Sequence, residues 1–210
     1  MEECRRQLQF PIPRIAQGEI WAEHTRATFS KLSSAVDISP ERYNMSVTTE
    51  MILDYWTSGQ LKKWPKNALR NSGINDASKE FLHQIGLPIR IQNGIQFEAG
   101  ADDLHPLSHS ARNCRIIGFD LGRPFCIVED RSSCVIWLDG RLERFANTSV
   151  KHFAACIFLY LKWNESVKSF PVGRLKVDEL IEQIQLEDPS ALDKPENVWS
   201  VVLEDLLHSS

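Results

Sequence analysis

The sequence predicts an α+β domain: a sheet built around a central meander, antiparallel or mixed, packed by several helices. Three observations carry this. "RIIGFD", "FCIVED" and "VIWLDG" are short β-rich runs separated by "LGRP" and "RSS", the spacing of adjacent antiparallel strands, and "RLERFA" extends the series. "VKHFAACIFLYLKW" follows directly as a helix apolar on most of its sides. On both flanks, apolar residues recur at helical rather than strand spacing.

With 210 residues, 42% of them hydrophobic, and six tryptophans, the chain can bury a substantial core, most simply in one domain. Residues 1–45 read as an appendage, because "QFPIPRI" is proline-broken and "WAEHTRATFSKLSSAV" is only weakly amphipathic; the domain proper takes residues 46–210. In "SVTTEMILDYW", Thr48 or Thr49 caps a helix whose Met51, Ile52, Tyr55 and Trp56 share a face. In "NDASKEFLHQIGLP", Asn75 or Asp76 caps a second helix, and Gly86 followed by Pro88 stops it. "RIQNGIQFEAG" reads as a hairpin around Asn93 and Gly94, and "ADDLHPLSHSARN" as a loop.

Alternation sorts the central strands into two apolar faces. Phe125, Ile127, Val135 and Trp137 point one way, and Cys126, Val128, Ile136 and Leu138 the other. A sheet wet on one side alternates apolar with polar, so each face here needs a cover or a partner. Trp137 is expected in the core, where truncation to alanine costs about 3 to 5 kcal/mol. "VKHFAACIFLYLKW", capped by Thr148 or Ser149, covers one face. "VDELIEQIQL" and "ENVWSVVLEDLL" supply two more helices, and Trp199, Val202, Leu203 and Leu206 form a core stripe on the last.

The longest apolar run, Phe153 to Leu161, falls well short of the roughly 20 residues that a membrane span needs. "MEECRRQLQFPIPR" lacks the apolar core of a signal peptide. The expected setting is the cytoplasm, with Cys4, Cys114, Cys126, Cys134 and Cys156 reduced and the sequons at Asn44, Asn147 and Asn164 without effect. The net charge of −4 divides unevenly: residues 171–210 hold three Lys/Arg against nine Asp/Glu, a balance of −6, and the rest carries +2. An acidic end disfavours nucleic acid and suits a basic protein partner, although a solvated helix face gives the same composition.

Candidate chemistry is sparse. His105, His109 and Cys114 in "HPLSHSARNC" are metal-capable, but Pro106 breaks the helical turn that would align them and a fourth ligand is missing; no metal or cofactor is expected. A cysteine hydrolase would pair Cys114, Cys134 or Cys156 with His105, His109 or His152, yet no local signature supports a pairing, Cys126, Cys134 and Cys156 fall in strands or a buried helix, and His152 sits in a helix's first turn. "GFDLGRP" has neither phosphate-loop spacing. Lys62, Lys63 and Lys66 around Trp64 could stack on single-stranded nucleic acid, but a helix-end surface accounts for them better. No small-molecule substrate, nucleic acid or membrane is expected as partner.

Taken in order, "TTEMILDYW", "FLHQIGLP", a strand with "IIGFD", two hairpin strands, "FANTSVKHF" and "EDPSALDKPENVWSVVLEDLL" resemble the SUKH superfamily, specifically its fourth family of immunity proteins, from about Ser46 onward. The resemblance implies a single α+β domain that binds and neutralises a cognate bacterial polymorphic toxin by stoichiometric occlusion, without catalysis. The motifs mark no contact residues. Charge and expected exposure nominate Asp102, Asp103, Glu129, Asp130, Glu187 and Asp188 as partner-binding groups. A scaffold or chaperone of the same fold is the alternative to immunity, with a cysteine hydrolase behind it.

Overall fold

The structure is a computed structural model that describes residues 46–91, 95–97, 104–130, 132–168 and 174–208. The first described element is a short helix, α1 (Thr49–Tyr55), in which the Thr48 side chain accepts from the Met51 N–H. A 3-10 turn (Ser58–Gln60) leads to β1 (Leu61–Lys62), and α2 (Lys66–Arg70) and α3 (Asp76–Gln84) follow. Asn75 caps α3 by accepting from the Ser78 N–H at 2.8 Å. These caps satisfy amide donors that the first helical turn leaves orphaned.

"FLHQIGLP" is a device for turning a helix into a strand. The Ile85 and Gly86 N–H groups both donate to the Phe81 carbonyl, and Gly86 adopts φ +86°, the left-handed C-terminal stop. Leu87 and Pro88 then form β2, antiparallel to β1. A Cβ at position 86 would lie 2.1 Å from the Lys62 carbonyl oxygen, so the close approach of these backbones needs glycine for space as well as for φ.

The main sheet has six strands, all pairing antiparallel: β3 (Ile95–Gln96), β4 (Pro106–His109), β5 (Arg112–Asp120), β6 (Arg123–Val128), β7 (Val135–Asp139) and β8 (Leu142–Asn147). The meander is as expected, and its first member is a correction. "HPLSH" is strand β4 rather than loop, joined to β5 by a two-residue turn in which Ser110 and Ala111 both take positive φ. Its alternation is masked in the sequence because only Leu107 and His109 turn inward. The outer edge of β5 is shared: β4 pairs its first half and β3 its last two residues, either side of an irregularity between Ile116 and Gly118. The turn expected at Asn93 and Gly94 lies outside the described residues, but its flanks are joined by the Phe97 N–H donating to the Ile89 carbonyl.

The two sheet faces divide as alternation requires. Phe125, Ile127, Val135 and Trp137 belong to the main core, which α4 (Val150–Lys168) covers; Phe97, Phe125 and Phe153 pack there with ring centroids 5.1 to 6.3 Å apart. Helices α5 (Arg174–Glu187) and α6 (Val198–His208), joined through a 3-10 turn (Pro189–Leu192), add Val177, Leu180, Ile184, Trp199 and Leu203 to that core. Cys114, Cys126, Val128, Ile136 and Leu138 form a second, smaller core on the opposite face. Over this second core, Arg112 of β5 and His109 of β4 reach Glu143 of β8, so polar side chains bridge above the strands between.

Two tryptophans depart from expectation. Trp64 is fully buried, which removes it as a stacking surface for nucleic acid. Trp137 is only half-buried, with the Arg123 and Arg144 guanidinium carbons 5.4 and 6.0 Å from its ring centroid. Gly86→Ala is expected to destabilise the domain by about 3 kcal/mol or more, since neither backbone can yield cheaply. Trp137→Ala is expected to cost about 2 to 3 kcal/mol, below the range for a fully buried aromatic. Denaturant unfolding of both variants measures these values.

Candidate partner-binding surface and the interior polar network

The six nominated acidic residues separate into groups with different duties. Asp188 is 2% exposed and Glu187 8% exposed, so the inference of exposure from the charge run is corrected for both. Glu187 accepts from the Ser46 hydroxyl at 2.9 Å and the Val47 N–H at 2.8 Å, fixing the segment before α1 to the end of α5. Asp188 accepts from the Asn147 side-chain amide and the Thr148 N–H, each at 2.8 Å, and from the Thr148 hydroxyl at 3.2 Å. Asn147 in turn accepts from the Trp199 indole N–H at 2.8 Å. The "NTS" entry to the buried helix and the "DP…W" segment, some 40 to 50 residues apart in sequence, thus meet in one buried hydrogen-bond network.

Thr148, His152 and Asp188 invite comparison with a hydrolytic triad, but their order rules against it. The Thr148 hydroxyl lies between imidazole and carboxylate, donating to Asp188 and facing His152 Nδ1 at 2.7 Å. The carboxylate therefore bonds to the hydroxyl rather than to the imidazole, which is not the order in which such a triad orients its base. The cap of α4 falls to Ser149, whose side chain accepts from the His152 N–H.

Glu129 is also structural. It accepts from the Gly73 N–H at 2.7 Å and from Arg115 Nε at 2.6 Å, tying the connection between α2 and α3 to the sheet. Burial works to raise its carboxyl, but those two hydrogen bonds and the Arg115 charge outweigh burial and hold it below the usual carboxylate range. Asp130, next in sequence, is exposed and shapes its own turn by accepting from the Ser132 hydroxyl and the Ser132 and Ser133 N–H groups. Asp102 and Asp103 lie outside the described residues. Of the nominated set, the structure therefore places Asp130 alone on the described surface.

The four described cysteines are free thiols, three of them buried. Burial pushes all of them up, Cys126 to about 12, the reverse of the activation a nucleophile requires. Among the described residues, no group of three or more His, Cys, Asp or Glu is gathered as metal ligands would be. No described helix is long and apolar enough to cross a membrane.

Residues 47–205 match the family model described as SUKH-4 immunity protein. The chain belongs to this family. Comparison with curated proteins and with solved structures gave no match. In this SUKH-4 member the segments that carry the resemblance are thus explained by packing: "FLHQIGLP" by the glycine stop and strand pairing, "NTS" and "DP…W" by the network at Asp188.

Two outcomes are expected. Asp188→Ala leaves two amide donors and a hydroxyl without their acceptor and should cost about 3 to 5 kcal/mol, the range for breaking a buried charged network; urea unfolding reads it. Glu129 has a depressed folded-state value, so its stabilisation is present above the unfolded value of about 4.3 and is lost as pH falls through the folded one. Glu129→Gln should therefore be less stable than wild type at pH 7, with the gap closing on acidification below about pH 4.3 in unfolding curves recorded across that range.

Proposed function

We propose that this chain protects the bacterial cytoplasm by binding one cognate toxin domain and occluding its active site, without turnover. Family membership supports an immunity role. The single observation that carries the non-catalytic reading is the position of the polar residues of the family-specific segments: Asn147, Thr148, Asp188 and Trp199 bond to one another in the interior. Such a chain specifies a rigid scaffold and leaves activity to its outer surface. A standard interface of roughly 1,600 Å² in total is enough to cover a toxin's catalytic cleft.

Asp102, Asp103 and Asp130 remain the proposed acidic contacts, acting mainly on the rate of capture of a basic toxin rather than on the strength of the final complex. Glu129, Glu187 and Asp188 are withdrawn from that role because their oxygens are engaged within the fold. In titrations of toxin activity, inhibition is expected to saturate at a fixed molar ratio and to remain constant with time. A toxin that stays fully active beside excess protein would overturn the immunity reading, and inhibition by catalytic amounts would overturn occlusion.

A further inference from the structure

One exposed residue breaks a local folding rule with no gain inside the domain. Among the described residues, four non-glycine positions have positive φ: Ser110, Ala111, Leu121 and Ser133. Leu121 alone of these carries a large side chain, and that side chain is 75% exposed at the tip of the β5–β6 hairpin. Its φ of +48° followed by Gly122 at +86° is a turn that asparagine-glycine fills at little cost, whereas leucine is disfavoured there. Departures of this kind, where local preference is violated without packing in return, concentrate at functional positions.

The surroundings of Leu121 fit a contact surface. The β7–β8 hairpin ends at the same edge of the sheet, roughly 10 Å away at two strand spacings. It brings a second exposed leucine, Leu142, and the exposed Arg141. The two tips are joined by Arg123 and Asp139 at 3.2 Å. Behind them Trp137 lies under Arg123 and Arg144, and Arg144 donates to the Glu196 carbonyl at 2.9 Å. Arginine and tryptophan in a fixed arrangement are the composition of binding hot spots, and the two exposed leucines add apolar area beside them.

We propose that the paired hairpin tips, with Leu121 and Leu142 as anchors and Arg141 and Arg144 beside them, form the end of the domain that seats in the toxin, in an apolar pocket rimmed by carboxylates. Charge complementarity selects that rim, because Asp139 is paired with Arg123 while Arg144 meets a neutral carbonyl. The tips lie at the end of the sheet opposite the Asp130 turn, so acidic and basic contacts act at separate places and together fix the orientation of the partner. This inference rests on the immunity reading.

The test uses the catalytically inactivated toxin domain encoded beside this chain, with the full chain as wild type, as Leu121→Asn/Leu142→Ser and as Arg141→Glu. Asparagine suits positive φ, so the double variant is expected to melt within about 2 °C of wild type while its Kd rises about tenfold or more, chiefly through faster dissociation. Arg141→Glu is expected to slow association several-fold at low salt and less at high salt. Unchanged Kd in the double variant, beside a wild type that binds, would overturn the hairpin assignment and leave immunity standing. A wild type that does not bind this toxin would overturn immunity and the assignment with it. A melting loss above about 5 °C would show the leucines packed within the chain, and a wild-type dimer abolished by the double variant would make a second copy the occupant; either outcome overturns the proposal.

Discussion

The domain depends on a buried carboxylate at the junction of four elements. Asp188 ends α5, and through Asn147 and Thr148 it holds the last residue of β8 and the residue before the cap of α4; through Asn147 it reaches Trp199 on α6. Removing a charge from water is expensive, and the cost is offset only because several donors converge on it with good geometry. The same requirement makes the arrangement directional. Apolar contacts along α4 and the sheet tolerate small slips, whereas three donors around one carboxylate define a single relative placement of sheet, central helix and C-terminal helices.

That division of labour separates stability from recognition. The interior network, the Glu129 link to the connection between α2 and α3, and the glycine at 86 are all satisfied within the chain and offer a partner nothing. Exposed turns between strands contribute little to the core and can vary in side chain while the scaffold persists. A substitution on a hairpin tip therefore leaves the buried network untouched.

Legibility in the sequence followed the range of the interactions involved. The faces of β6 and β7 were readable because alternation is a local property, and Thr48 and Asn75 were readable because a cap bonds only three residues onward. β4 is hidden in the sequence because one of its two inward positions holds a polar residue, His109, and its Ser110–Ala111 turn lacks the usual asparagine and glycine. The acidic pair at 187 and 188 misled for a different reason. Their partners are about 140 and 40 residues distant, so a charge run that ends in the interior looks in sequence like one that ends in solvent. Leu121 could have been flagged at the "LGRP" turn, where leucine stands in a place suited to asparagine, but its exposure emerges only with the fold.

The shared edge of β5 has a consequence for the protein in bulk. An unpaired strand edge is a template for other chains, and meander sheets commonly leave two such edges. Here β4 and β3 divide the outer side of β5 between them as short strands, and β8 at the far side is flanked by the Pro189–Leu192 turn and α6. Short, interrupted edges resist sheet-to-sheet growth. An edge closed in this way lets the folded chain accumulate without nucleating aggregates.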